Sequence, residues 1–187
     1  MEIARWKAAD GRSLRMREAR ASDLDQVKSS LNKLSPEARR NRFFSPMPGF
    51  SDELVRKLTI VDRANEYVVL VMRKEDGFEL PVAGGRILVL QDGFSHYGEF
   101  ALVVGDDWQK QGIGSRIMQA LIEEAKRRQL AWLFGHVLRD NAKMHALAHA
   151  FNFRFEDDAD PDIEKIILDL PSKKSWGSRL VNMIDPS

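Results

Sequence analysis

Six residues in mid-chain, Gln109-Lys110-Gln111-Gly112-Ile113-Gly114, stand between an apolar run and a long amphipathic one, and they restrict the fold more than any other feature. Two glycines one residue apart let a backbone turn lie against a ligand, because neither carries a Cβ. The residues that follow, 115–129, place Ile117, Met118, Leu121, Ile122 and Ala125 on one helical stripe. Arg116, Gln119, Glu123, Lys126 and Arg127 fall on the opposite stripe. Such a helix directs unpaired N–H groups at the glycine turn, where an anion is the natural guest, and needs a sheet under its apolar face.

Two common phosphate binders do not fit. A P-loop requires Lys followed by Ser or Thr after its last glycine, where this chain has Ser115-Arg116. A Rossmann fingerprint requires a third glycine at the position of Ile117 and a first glycine directly off the strand. What precedes the glycines is an apolar strand, Glu99-Phe100-Ala101-Leu102-Val103-Val104, and a polar turn, Gly105-Asp106-Asp107-Trp108. Strand, turn, Gln-x-x-Gly-x-Gly and long helix, in that order, resemble motif A of the GNAT (Gcn5-related) N-acetyltransferases. Together with the strand at 99–104, two further segments are similar to the acetyltransferase domain of bacterial Pat-type protein lysine acetyltransferases. They are Ser35-Pro36-Glu37-Ala38-Arg39-Arg40-Asn41-Arg42-Phe43-Phe44 and Asn141-Ala142-Lys143-Met144. The likeness spans residues 14–170.

The resemblance implies an α/β (α+β) GNAT fold, with a mixed, mostly antiparallel central sheet and helices on both faces. It implies acetyl coenzyme A as cosubstrate and no metal. It also implies direct transfer of the acetyl group to an amine, by the Pat likeness the side chain of a protein lysine. An attacking ammonium must first lose a proton, and a carboxylate can take it. Glu99 is the candidate base, at the mouth of the glycine loop and at the position that resembles the Pat-type glutamate; a surface carboxylate is its plainer reading, and Glu66 is a weaker second choice. The backbone of Leu102, Val103 and Val104 is expected to meet the thioester and pantetheine arm. The N–H groups of Gln111, Gly112, Ile113, Gly114 and Ser115 would hold the pyrophosphate, with Gln109 bracing the loop. Asn141 serves as a helix cap, a coenzyme contact, or both. Where many GNAT enzymes carry a tyrosine acid this chain has Ala148, which leaves Tyr97 as a fallback only if it faces the cleft. Acetylation of a small amine and a non-catalytic acyl coenzyme A sensor are the rival readings.

Composition narrows the partners. Lys plus Arg at 29 against Asp plus Glu at 28 leaves +1, so no overall field recruits nucleic acid or an anionic membrane. The absence of cysteine removes disulfides, thiolate metal sites and an acyl-cysteine intermediate. No signal peptide or membrane-spanning run is legible, which sets a cytoplasmic expectation.

Along the chain, residues 1–13 read as a polar, irregular N-terminal extension ending in Asp10-Gly11-Arg12, a turn suited to join two short strands; residues 14–170 read as the acetyltransferase domain and residues 171–187 as a tail with a short amphipathic helix. The tail would pack on its own domain or on a second copy of the chain. Strands are expected at 14–17, 67–72, 80–90, 97–104, 132–138, 154–155 and 163–170. Ser22, Ser35 and Ser51 read as helix caps, and a further helix spans 141–151. Gly84-Gly85 implies a bulge or a close backbone contact, and Asp76-Gly77 a turn. Arg39, Arg40 and Arg42 form either a solvated helix face or a basic lip. His145 and His149, four apart, read as ordinary helix histidines rather than metal ligands.

Overall fold

The computed structural model describes residues 1–170 except Pro46 and Asp76. The tail at 171–187, and the Asp76 half of the Asp76-Gly77 turn, lie outside the described residues. The chain runs β1 (Glu2–Lys7), β2 (Ser13–Glu18), a 3-10 turn (Ala21–Asp23), α1 (Leu24–Asn32), α2 (Pro36–Phe43) and α3 (Asp52–Thr59). It continues through β3 (Glu66–Glu75), β4 (Phe78–Asp92), β5 (Ser95–Val104), a second 3-10 turn (Asp106–Trp108) and α4 (Ile113–Arg127). It closes with β6 (Trp132–Leu138), α5 (Ala142–Ala150), β7 (Arg154–Asp157) and β8 (Ile163–Asp169). The strands form one sheet in the order β1-β2-β3-β4-β5-β6-β8-β7. Every neighbouring pair is antiparallel except β5 with β6.

The continuous apolar run of β3 follows from burial on both faces. Val69 and Val71 join one core with Leu14, Met16, Ile87, Ile117 and Leu121, beneath α4. Val68, Leu70 and Met72 join a second core with Val27, Leu31 and Val55, beneath α1 and α3. Helix α4 seats closely because β4 carries Gly85 opposite it: a Cβ there would lie 2.4 Å from Ile117 Cγ2. Gly85 is thus the close contact expected at Gly84-Gly85. The register slip lies upstream, where β3 pairs with Ala83 and then with Pro81, skipping Val82.

The turn expected at Asp10-Gly11-Arg12 joins two strands, so residues 1–13 are not irregular: Arg5, Trp6 and Lys7 pair with Arg15, Leu14 and Ser13 across a turn in which Gly11 has φ +83°. Trp6 packs against the core and lies beneath the Arg116 guanidinium, 4.8 Å from its ring centroid. An exposed edge strand buries too few side chains for alternation to show in sequence. Ser22 is not the cap of α1, which begins at Leu24 after the 3-10 turn. Its neighbour Asp23 instead accepts from Arg20 N and from both terminal nitrogens of Arg17, each at 2.8 Å.

The Arg17 and Asp23 side chains are 4% and 7% exposed, so each is the other's counter-charge in a nearly dry setting. Burial opposes the Asp23 charge, yet the Arg17 hydrogen bond and the Arg20 N–H hold its carboxyl below its ordinary value. The stabilisation is therefore complete above the ordinary carboxylate range and is lost as pH falls through the lowered value. Asp23→Asn would remove the bidentate counter-charge of the buried Arg17 and leave it only Glu79, at 3.5 Å. It is expected to lower unfolding free energy by about 3 kcal/mol at neutral pH. Urea denaturation across the acid range should then show a shallower acid-side loss in the variant than in the parent.

Candidate active site

Strands β5 and β6 are joined over only two residue pairs, Gly98 with Leu133 and Glu99 with Phe134. Beyond Glu99 they separate. The ring and carbonyl of Phe100 stand where a side chain at Gly135 would be, about 3.0–3.1 Å from a Cβ built there. The same ring lies 5.4 Å from that of Phe153. Past this close approach, Ala101, Leu102, Val103 and Val104 still pair with β4, so their other edge is turned toward β6 without a strand partner among the described residues. A cavity of about 430 Å³ opens there. Leu102, Val103 and Val104 line it with Gly112, Ile113, Gly114 and Ser115.

The glycine turn is built for a close approach. Gly112, with φ +74°, is the N-cap of α4, and no side chain caps that helix. A Cβ at Gly112 would meet nothing within 4 Å, whereas one at Gly114 would meet Leu147 Cδ2 at 3.6 Å. Lys110 also adopts a positive φ, +59°, and lines the cavity. Gln111 does not line it. Its Nε2 donates to the Asp107 carbonyl at 3.2 Å, and its Oε1 is buried without a partner. Gln109 lines the cavity; its Nε2 donates to the Val104 carbonyl at 3.3 Å, while Lys143 Nζ donates to its Oε1 at 2.9 Å. The turn is fixed from the other side by Asp106, which accepts from Ser35 N and Ser35 Oγ at 2.9 and 2.6 Å. Ser35 is also the cap of α2, accepting from Ala38 N. Asn141 caps α5 by accepting from Met144 N at 3.1 Å, and it lines the same cavity.

Glu99 stands at the fork, its side chain 42% exposed, on an interior strand of the sheet. Its Oε1 lies 3.7 Å from His136 Nδ1, and His136 Nε2 lies 3.3 Å from Asp158 Oδ2. This carboxylate–imidazole–carboxylate line was not legible in sequence, because Asp158 comes from the loop between β7 and β8 and meets His136 only through the crossover of β8. Other candidates lie elsewhere. Glu66 is ion-paired to Arg86. Tyr97 is stacked on Trp132, with centroids 4.7 Å apart, and does not line the cavity. His145 and His149 pack against the ring of Phe155. Ala148 is fully buried.

The three arginines of α2 separate. Arg39 donates to the carbonyls of Asn32, Met47 and Pro48, which makes it a brace for the following loop. Arg40 pairs with Asp140 at 2.8 Å. Arg42 lines the cavity, half-buried, with its guanidinium 4.9 Å from the Phe43 ring centroid.

Residues 31–153 match the acetyltransferase (GNAT) family, and the chain belongs to it. It is an acyl-transferring enzyme of that family. Among its relatives is acetyltransferase PA5475 of Pseudomonas aeruginosa, 27% identical over 158 residues that cover 84% of this chain and 83% of that one. The fold is similar to the GNAT domain of S. lividans PAT, with a TM-score of 0.79 at 22% identity over 90% of this chain and 97% of that one. It is also similar to RimL, a ribosomal L7/L12 alpha-N-protein acetyltransferase solved in complex with coenzyme A. There the TM-score is 0.69 at 17% identity, over 91% and 98% of the two chains. The family's acyl donor, acetyl coenzyme A, fits the cavity described: an uncapped helix N-terminus for phosphate oxygens, and an unpartnered strand edge for an amide-bearing arm. Among the described residues no helix is long and apolar enough to cross a membrane.

The turn can be tested through its backbone alone. Gly112→Val meets no steric obstacle but would force a β-branched residue into left-handed geometry, at roughly 1–2 kcal/mol. It is expected to weaken coenzyme A binding, read by calorimetry, with a comparable loss of stability in urea. Unchanged affinity would separate the turn from the ligand.

Proposed function

We propose that this protein transfers an acetyl group from acetyl coenzyme A to the side-chain amine of a protein lysine, in the cytoplasm, and that Glu99 takes the amine's proton. One observation carries the reading: a carboxylate stands at the fork where the separated strand edge begins, at the end of the cavity opposite the phosphate-binding turn. An acyl group delivered along that edge arrives beside the carboxylate.

In this reading the turn at 112–115 anchors the donor, and the free edge of Leu102, Val103 and Val104 aligns it. A backbone N–H of that edge polarises the thioester carbonyl. The amine nitrogen bonds to the acyl carbon as the bond to sulfur breaks, and the amine's proton passes to Glu99. His136 and Asp158 stand in line with Glu99 and supply an outlet for that proton. The departing thiolate is protonated by water, since neither Ala148 nor Tyr97 can do so from its place. The lack of any cysteine excludes an acyl-cysteine intermediate, in keeping with direct transfer.

The lysine half of the proposal rests on the Pat-type likeness of residues 35–44 and 141–144 and on the similarity to the S. lividans GNAT domain. A protein acceptor needs an accessible cavity mouth, and Glu37, Phe44 and Lys143 surround one here.

Thiol release from acetyl coenzyme A, with lysine-bearing proteins, peptides and small amines as acceptors, tests both halves. Release stimulated by lysine-bearing proteins and not by small amines is expected. Release with small amines alone would reassign the enzyme to metabolite acetylation, and binding without release would favour a sensor. Glu99→Gln is expected to keep coenzyme A affinity while turnover drops by roughly 10²- to 10⁴-fold. Equal turnover would move the base elsewhere.

A further inference from the structure

A second cavity, of about 310 Å³, lies across β5 from the first, between α1, α2 and the strands β3 and β4. Arg42, Val103 and Trp108 line both. Arg42 is the charged member of the three, so it stands where the two spaces adjoin.

Its electrostatic setting is unbalanced. Arg39 and Arg40 on the same helix are bound to carbonyls and to Asp140, but no carboxylate among the described residues lies within ion-pair distance of Arg42. The nearby Arg86 is already joined to Glu66. Burial pulls the Arg42 guanidinium down to about 10; Arg86 acts in the same direction, and only Glu99 opposes it. A half-buried guanidinium with no ion-pair partner among the described residues is costly to hold, and a ligand anion offsets that cost by bidentate hydrogen bonding. The Phe43 ring beneath the guanidinium limits its movement without neutralising it.

The coenzyme does not provide this anion. Its phosphates belong at the uncapped N-terminus of α4, at the far end of the first cavity, and the second cavity includes none of residues 112–115. The parts of the donor that would reach Glu99, the thioester and the pantetheine arm, are neutral. The remaining source is the acceptor.

We infer that Arg42 forms an anion subsite for the acceptor, so that the preferred substrate is an amine with a carboxylate close by, in a protein a lysine flanked by Glu or Asp. This rests on the acyl-transfer reading above and narrows its substrate class. The second cavity would receive the chain that bears the carboxylate, while the amine reaches Glu99 in the first.

The test compares acetylation of two lysine peptides that differ only by Glu or Gln beside the lysine, and of a small amino acid and its methyl ester. Parent, Arg42→Gln and Arg42→Lys proteins are assayed. In the parent, kcat/KM is expected to favour the anionic member of each pair by about tenfold to a hundredfold. In Arg42→Gln that ratio should collapse toward unity, and Arg42→Lys should restore part of it. Equal rates for both members of each pair in the parent would overturn the subsite. So would a ratio that survives in Arg42→Gln, or a variant whose defect is confined to the KM for acetyl coenzyme A. Acetylation of the small amines alone, still anion-selective and Arg42-dependent, would sink the lysine reading but leave the subsite standing. If nothing is acetylated, calorimetry of the two peptides on the coenzyme A-loaded protein reads the same difference, and equal or undetectable binding would overturn it.

Discussion

The parting of β5 from β6 after Glu99 is the feature on which the rest of the structure depends. A parallel pair that stays together leaves no backbone group free, and a pair that never forms gives no fixed angle between its strands. Here two residue pairs hold the strands; Phe100 then lies close against Gly135, whose missing Cβ leaves room for its ring and carbonyl, and no further pairing follows. Four residues of β5 remain held by β4 and present an open edge on the other side. Buried backbone groups require partners. In the proposed reading that requirement is met by a donor with amides of its own, rather than by more sheet.

Everything around the fork keeps it open and rigid. Gly85 allows α4 to sit close to β4, which places its uncapped N-terminus at the end of the cavity. Asp106 ties the turn before the glycines to the cap of α2. Burial works against its charge, but the hydrogen bonds from Ser35 hold its carboxyl below the usual range. Helix α2, so anchored, carries Arg42 to the junction with the second cavity. One polar link therefore couples the phosphate end of the site to the side from which the acceptor would enter.

Much of this was legible in the sequence where the signal is local. The strand, glycine turn and helix at 99–127 and the caps at Ser35, Ser51 and Asn141 each follow from residues within one turn of the feature they determine. The placing of Gly112, Ile113, Gly114, Ser115 and Asn141 around one cavity follows from the same motif. What sequence could not supply is contact between distant segments. His136 gains its place beside Glu99 through parallel pairing, and Asp158 joins it only because β8 is inserted between β6 and β7. The three arginines of α2 look alike in sequence, and only the partners brought by other elements distinguish a brace, a surface pair and an uncompensated charge.

The central claim is that the separated edge of β5 and the turn at α4 together hold the acyl donor. Amide hydrogen exchange, followed residue by residue with and without acetyl coenzyme A, tests it most directly. The expected result is new protection at residues 101–104 and 112–115, with little change at Gly98 and Glu99, whose strand pairing already exists. Protection confined to other regions, or none at saturating donor, would contradict the account.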